Sequence, residues 1–140
     1  MLGSPHYYEV LITEGHLDTF GHVNNARYLD ILEQARWDLI TQHGFGLRQI
    51  QQSGVGPTVL EINLRFLREL RNRERIKITS YTDSYSGKVG KFVQQIHNEA
   101  GELCCDALFV IGLFDVRARK LILPTPEWLR AIGVSEGGST

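Results

Sequence analysis

Residues 15–44, GHLDTFGHVNNARYLDILEQARWDLITQHG, decide how this chain is read. The segment opens as a glycine-punctuated loop holding one carboxylate, Asp18, and continues as a long amphipathic run. Asn24 or Asn25 suits an N-cap, because a side-chain oxygen there accepts from a first-turn N–H. Residues 26–43 then follow a helical period. Tyr28, Leu29, Leu32, Ala35 and Leu39 share one face, with Arg27, Asp30, Gln34 and Asp38 opposite. Gly44 stands where a C′ residue ends a helix. Such a helix is a rod of roughly 27 Å.

Working outward, residues 6–13 mix aromatic and β-branched types and predict a first strand. Residues 45–57, rich in glycine, form a connector with a short helical turn over 47–51. Alternation then predicts strands at 58–69, with Leu60, Ile62, Leu64 and Phe66 on one side, and at 74–83 and 89–98. Turns fall at 84–88 and 99–101. Residues 102–115 are the most apolar strand and are placed centrally. A short pairing at 121–123 follows. Thr125 and Pro126 are the N-cap and first residue of a last helix reaching about residue 132. A single domain over residues 1–133 is expected, with 134–140 a mobile tail. Strands of about 12 residues span roughly 40 Å, longer than the helix. The sheet can therefore curl around the single helix, an α+β architecture. Its free edges and convex face point to a dimer or higher oligomer.

The 140 residues suffice for a real core. A formal net charge of −1 argues against a nucleic-acid partner. No run of about 18 apolar residues argues for membrane insertion. The opening MLGSPHYYEV lacks a basic region followed by an apolar block, so no secretory signal is expected. Cys104 and Cys105 are adjacent, which suits neither a disulfide nor a metal site and fits a reducing cytoplasm.

Residues 16–38, HLDTFGHVNNARYLDILEQARWD, resemble the signature of the hotdog-fold acyl-CoA thioesterases of the 4-hydroxybenzoyl-CoA thioesterase-like group. Within that group they are most similar to the bacterial long-chain, type III kind. D-x-x-G-H-V-N-N-x-x-Y is the specific part; the INLRF strand and the SGK turn extend the likeness. The resemblance implies a hotdog fold and hydrolysis of acyl-CoA, fatty and of medium to long chain, with no cofactor beyond the CoA carried by the substrate. It implies a catalytic carboxylate three residues before Gly21, which is Asp18. It also implies a helix-start backbone N–H, that of Asn25, polarising the thioester carbonyl. Dimers, often paired into tetramers, would carry the site at their interface.

The residues support that chemistry. Asp18 can attack the carbonyl to give an anhydride, or act as general base on water. A helix N-terminus offers unsatisfied N–H groups where negative charge develops. Gly21 lets the backbone pass close to a ligand; Val23, Asn24 and Tyr28 join it as candidate substrate contacts. His22 is either a packed loop histidine or a proton carrier. His16, Asp18 and His22 invite a metal, but no fourth ligand is indicated and none is expected. Arg36 falls beside Leu29 and Leu32 on the wheel. Glu33 either pairs with it or reaches the site to orient water. The basic run over 65–77 is either a solvated strand end or a phosphate site for CoA; Arg65, Lys88 and Lys91 are the candidates. Two alternatives remain: a non-catalytic acyl-CoA-binding module, and a hydratase or dehydratase pairing His22 with a carboxylate.

Overall fold

The computed structural model describes residues 1–135. Strand β1 (His6–Leu11) is followed by a 3-10 turn (Glu14–His16) and helix α1 (Asn25–Gln42). Helix α2 (Leu47–Ser53) leads to β2 (Val55–Phe66), β3 (Arg75–Ser86), β4 (Val89–His97), β5 (Leu103–Asp115) and β6 (Lys120–Ile122). Helix α3 (Pro126–Ala131) ends the fold. The strands pair antiparallel in the order β1-β3-β4-β5-β2, with β6 on β5. This is the expected α+β architecture, a sheet around one long helix. The most apolar strand, β5, is interior but lies beside the edge strand β2; β4 holds the middle.

Helix α1 starts where a cap exists. Asn24 is extended, and its side-chain oxygen accepts from the Ala26 N–H at 2.9 Å. The helix ends before Gly44, whose φ of 80° is costly for other residues. Its buried stripe is Tyr28, Ile31, Leu32, Ala35, Leu39 and Ile40. Leu29, expected in that stripe, is exposed. It is spaced i, i+4, i+7 and i+11 with Glu33, Arg36 and Ile40. Glu33 is exposed and Arg36 half-buried, so Leu29 lies on the flank of the buried stripe, which only Ile40 of this row joins.

The concave side of the sheet forms the rest of the core. Cys105, Ala107, Phe109, Ile111 and Leu113 of β5 alternate inward and are buried. Phe92, Gln94 and Ile96 of β4 and Ile76, Ile78, Ser80 and Thr82 of β3 complete the layer. Phe92 and Phe109 each contribute about 1.5–3 kcal/mol by burial.

Strand β2 departs from simple alternation. Its register with β5 shifts between Val59 and Glu61, leaving Leu60 in a bulge. A bulge reverses the side on which following residues point. Phe66, Leu64 and Ile62 therefore share the inner face with Val59 and Pro57, opposite Cys105, Ala107, Phe109, Ile111 and Leu113. Leu60, expected on that face, is off it. Val134 was expected in the tail, yet it is only 1 % exposed and its N–H donates to the Leu129 carbonyl at 2.8 Å. Of that expected tail, residues 136–140 lie outside the described residues. Among the described residues, no helix is long and apolar enough to cross a membrane.

Candidate active site

The loop between β1 and α1 is stitched at both ends. The Ile12 N–H donates to the Glu74 carbonyl at 2.9 Å, and the Arg73 N–H donates to the Ile12 carbonyl at 2.7 Å. Arg73 also pairs with Glu14, and that hydrogen bond is the main reason the Glu14 carboxyl lies below its ordinary value. His16 closes the 3-10 turn, its Nδ1 accepting from the Thr13 N–H at 3.0 Å. Next, Leu17 bridges to Val23, and the Asn24 N–H donates to the His16 carbonyl at 3.2 Å. These bonds hold the segment carrying Asp18 against the segment that starts α1.

Asp18 is exposed, and its carboxylate is oriented by the loop backbone. One oxygen, Oδ1, accepts from the Phe20 N–H at 2.9 Å and the His22 N–H at 3.1 Å. Among the described residues, Oδ2 has no hydrogen-bond partner. The Gly21 N–H donates to the Asp18 carbonyl at 3.1 Å, and its φ of 80° makes the tight return possible. Asn25 is the first helical residue, and its N–H has no acceptor among the described residues. A half-engaged carboxylate and an open amide at the positive helix end thus stand on adjoining segments. That pair can activate water, or attack, while stabilising an oxyanion. In the single chain, Asp18 does not line the apolar cavity bordered by Trp37 and Trp128.

The other candidates separate. Val23 is buried beneath the loop. The Asn24 side chain is the helix cap. His22 is not packed: its imidazole is largely exposed, 3.9 Å from Glu69. His16, Asp18 and His22 form no metal cluster; among the described residues no group of three His, Cys, Asp or Glu does. Tyr28 is core, its ring set edge-on to Phe66 at 4.9 Å, and burial pushes its phenol up. Glu33 lies eight residues beyond Asn25, about 12 Å along the axis. It borders instead a cavity under the distal half of α1.

Arg36 does not make the expected ion pair with Glu33. Its guanidinium donates to Gln94 Oε1 at 2.9 Å and lies 4.4 Å from the centre of the Phe109 ring. Burial lowers its proton affinity, and the Glu33 charge partly offsets that. Sequence reasoning also passed over Phe20, 84 % exposed at the loop tip beside Asp18. Its only signal was a large aromatic residue in an otherwise polar turn.

Residues 12–132 match the family model of the thioesterase-like superfamily. The long-chain acyl-CoA thioesterase FadM of Escherichia coli is 33% identical over 108 residues, 76% of this chain and 81% of that protein. The chain belongs to the thioesterase-like superfamily. It is an enzyme of the thioester-hydrolase kind, and its fold is the hotdog fold. The crystal structure of the probable thioesterase YbaW from Escherichia coli superposes with a TM-score of 0.79 at 29% identity, covering 91% of this chain and 96% of that one. Protein SAV2348 from Staphylococcus aureus, solved in complex with CoA, has the same fold: TM-score 0.86, 17% identity, covering 100% of this chain and 89% of that one.

The basic candidates of this hotdog thioesterase are not gathered at Asp18. Strand β3 runs for 12 residues from Arg75, beside the Asp18 loop, to Ser86. Lys88, in the following turn, is therefore roughly 40 Å along the sheet from that end. Lys91 sits near it and alternates with the inward Phe92, so it faces outward. Arg65 is also outward, opposite Asp106. The sequence order hid this, because an antiparallel hairpin returns its turn to the far end of the sheet.

Proposed function

We propose that this chain hydrolyses fatty acyl-CoA of medium to long chain length to free acid and CoA. Asp18 serves as nucleophile or general base, and the Asn25 N–H polarises the thioester carbonyl. The observation that carries this is the Asp18 carboxylate itself. Two backbone N–H groups fix one oxygen while the other stays open, on a segment tied to the helix start. A relative named for long-chain acyl-CoA and a like-folded protein solved with CoA support the substrate class.

The reading includes a homodimer, or a dimer of dimers, with the site at the interface. Strand β2 is an unpaired edge, and its inner-face Ile62 and Phe66 are 45 % and 51 % exposed. Single chains rarely leave such an edge open. A second copy along β2 would cover that surface and enclose the otherwise open Asp18. A reducing cytoplasm suits the two free cysteines.

The test is Asp18→Asn, assayed for thiol release across acyl-CoA lengths. The amide keeps an oxygen for the Phe20 and His22 N–H groups, so the loop should hold while kcat falls by roughly 10²–10⁴. A variant with near-normal kcat removes the assignment. A wild-type protein that binds acyl-CoA and releases no thiol selects the non-catalytic module instead.

A further inference from the structure

Beneath the distal half of α1 lies a cavity of about 140 Å³, walled chiefly by Trp37, Ile40, Val59, Phe92, Ile111 and Trp128. Dry apolar cavities of roughly 150 Å³ take up benzene, so this one accommodates about six carbons. Arg36 also borders it, but its guanidinium is engaged by Gln94 and the Phe109 ring.

An apolar path joins this cavity to the start of α1. Tyr28, in the first turn, touches Phe66. From there the inner face of β2 runs through Leu64 and Ile62 to Val59 at the cavity. Phe66, Ile62 and Val59 are all left partly open, as is Leu29, on the helix face that carries Glu33 and Ile40. The cavity-lining helix residues lie between Glu33 and Ile40. That is about 12 to 22 Å beyond Asn25 along the axis. An extended alkyl chain advances roughly 1.25 Å per carbon, the projection of a C–C bond of about 1.5 Å. At that advance, about ten carbons reach the rim and about eighteen the far wall.

We propose that this cavity seats the methyl end of a long acyl chain whose thioester lies at Asn25, and that Trp128 is the stop that limits its length. Trp128 is buried and fixed, its Nε1–H donating to the Tyr85 hydroxyl at 3.2 Å and its ring 5.3 Å from that of Phe45. The proposal rests on the thioesterase reading for where the chain begins.

The test uses a built-in reporter, since Trp37 and Trp128 are the only two tryptophans of the chain and both line the cavity. The Asp18→Asn protein, which spares the ligand, is titrated with hexadecanoyl-CoA brominated at the ω carbon. A second titration uses the same chain brominated near the thioester. Binding is followed in parallel by calorimetry. At saturation, the ω-bromo ligand should quench tryptophan emission at least twofold and the proximal one should leave it nearly unchanged. Equal quenching by both, or binding without quenching, overturns the proposal whatever the fate of Asp18. Selective quenching by a wild-type protein that releases no thiol upholds the cavity assignment and removes only the hydrolysis. As a second arm, Val59→Trp fills the mouth from the exposed edge strand and should shift the preferred acyl length several carbons shorter. An unchanged length profile in a folded, active variant also overturns it.

Discussion

Arg36 and Gln94 are 58 residues apart in sequence, and the guanidinium of one donates to the side-chain oxygen of the other at 2.9 Å. The Gln94 amide in turn donates to the Leu32 carbonyl and the Ser80 hydroxyl, each at 3.0 Å. One fully buried side chain thus fastens α1 to β3 and β4, with its polar atoms all engaged. Gln94→Leu should lower stability by about 2–3 kcal/mol, because it strands a half-buried cation and a hydroxyl. The urea midpoint should fall at unchanged m-value. A loss under about 0.5 kcal/mol, the usual range for surface changes, would mean that the cluster holds nothing together.

Gly21 bears on Asp18 through the backbone alone. A Cβ added there meets nothing within 4 Å, but φ is +80°. Gly21→Ala should therefore cost about 1–2 kcal/mol from left-handed backbone strain. It should also disturb the turn that orients the Asp18 carboxylate. The expected pattern is a lower melting temperature with kcat reduced tenfold or more at a nearly unchanged KM. An increase confined to KM would instead assign Gly21 to substrate contact.

Thiol chemistry offers a further check. Burial pushes the Cys105 thiol up to about 12, with the Asp106 charge adding to it, and burial also raises Cys104. The thiolate is the reactive form, so the folded protein should label very slowly with a disulfide reagent at neutral pH. In urea both cysteines should react fast. Prompt labelling of the native protein would contradict that burial. The same inertness keeps the enzyme's own thiols out of an assay that detects released CoA.

The open edge of β2 predicts its own remedy. A lysine at an edge strand discourages pairing with another chain. Leu60→Lys, on β2 but off the inner face that the acyl chain follows, should shift the protein toward monomer in sedimentation equilibrium and lower thioesterase activity in parallel. Its far-ultraviolet circular dichroism should be unchanged. An active monomer would show that the site needs no second copy.

Much of the architecture was legible locally, because periodicity and caps are local. Asn24, Gly44, Thr125 and Pro126 mark helix ends that the structure keeps. The misreadings were those where a neighbour decides. Leu60 left its expected face because β2 slips one residue against β5. Leu29 looked like core on the wheel, yet it faces a side of the helix that this chain leaves partly open. Arg36 had a carboxylate three residues away and found Gln94 instead. Lys88 and Lys91 are close to Asp18 in no sense the sequence order suggests: the β3–β4 hairpin places them at the far end of the same chain's sheet.

The sequence alone determined the loop chemistry: one carboxylate, a glycine able to take positive φ, and a capped helix start within eight residues of each other. Such proximity survives any arrangement of the rest, since a short stretch of chain cannot separate its own ends by much. Only the tertiary structure decided which oxygen of Asp18 stays open, where the Arg36 charge is tied and what lies under the far half of α1. Those outcomes depend on strands drawn from the whole length of the chain, and their register and curvature are set by packing that no local pattern encodes.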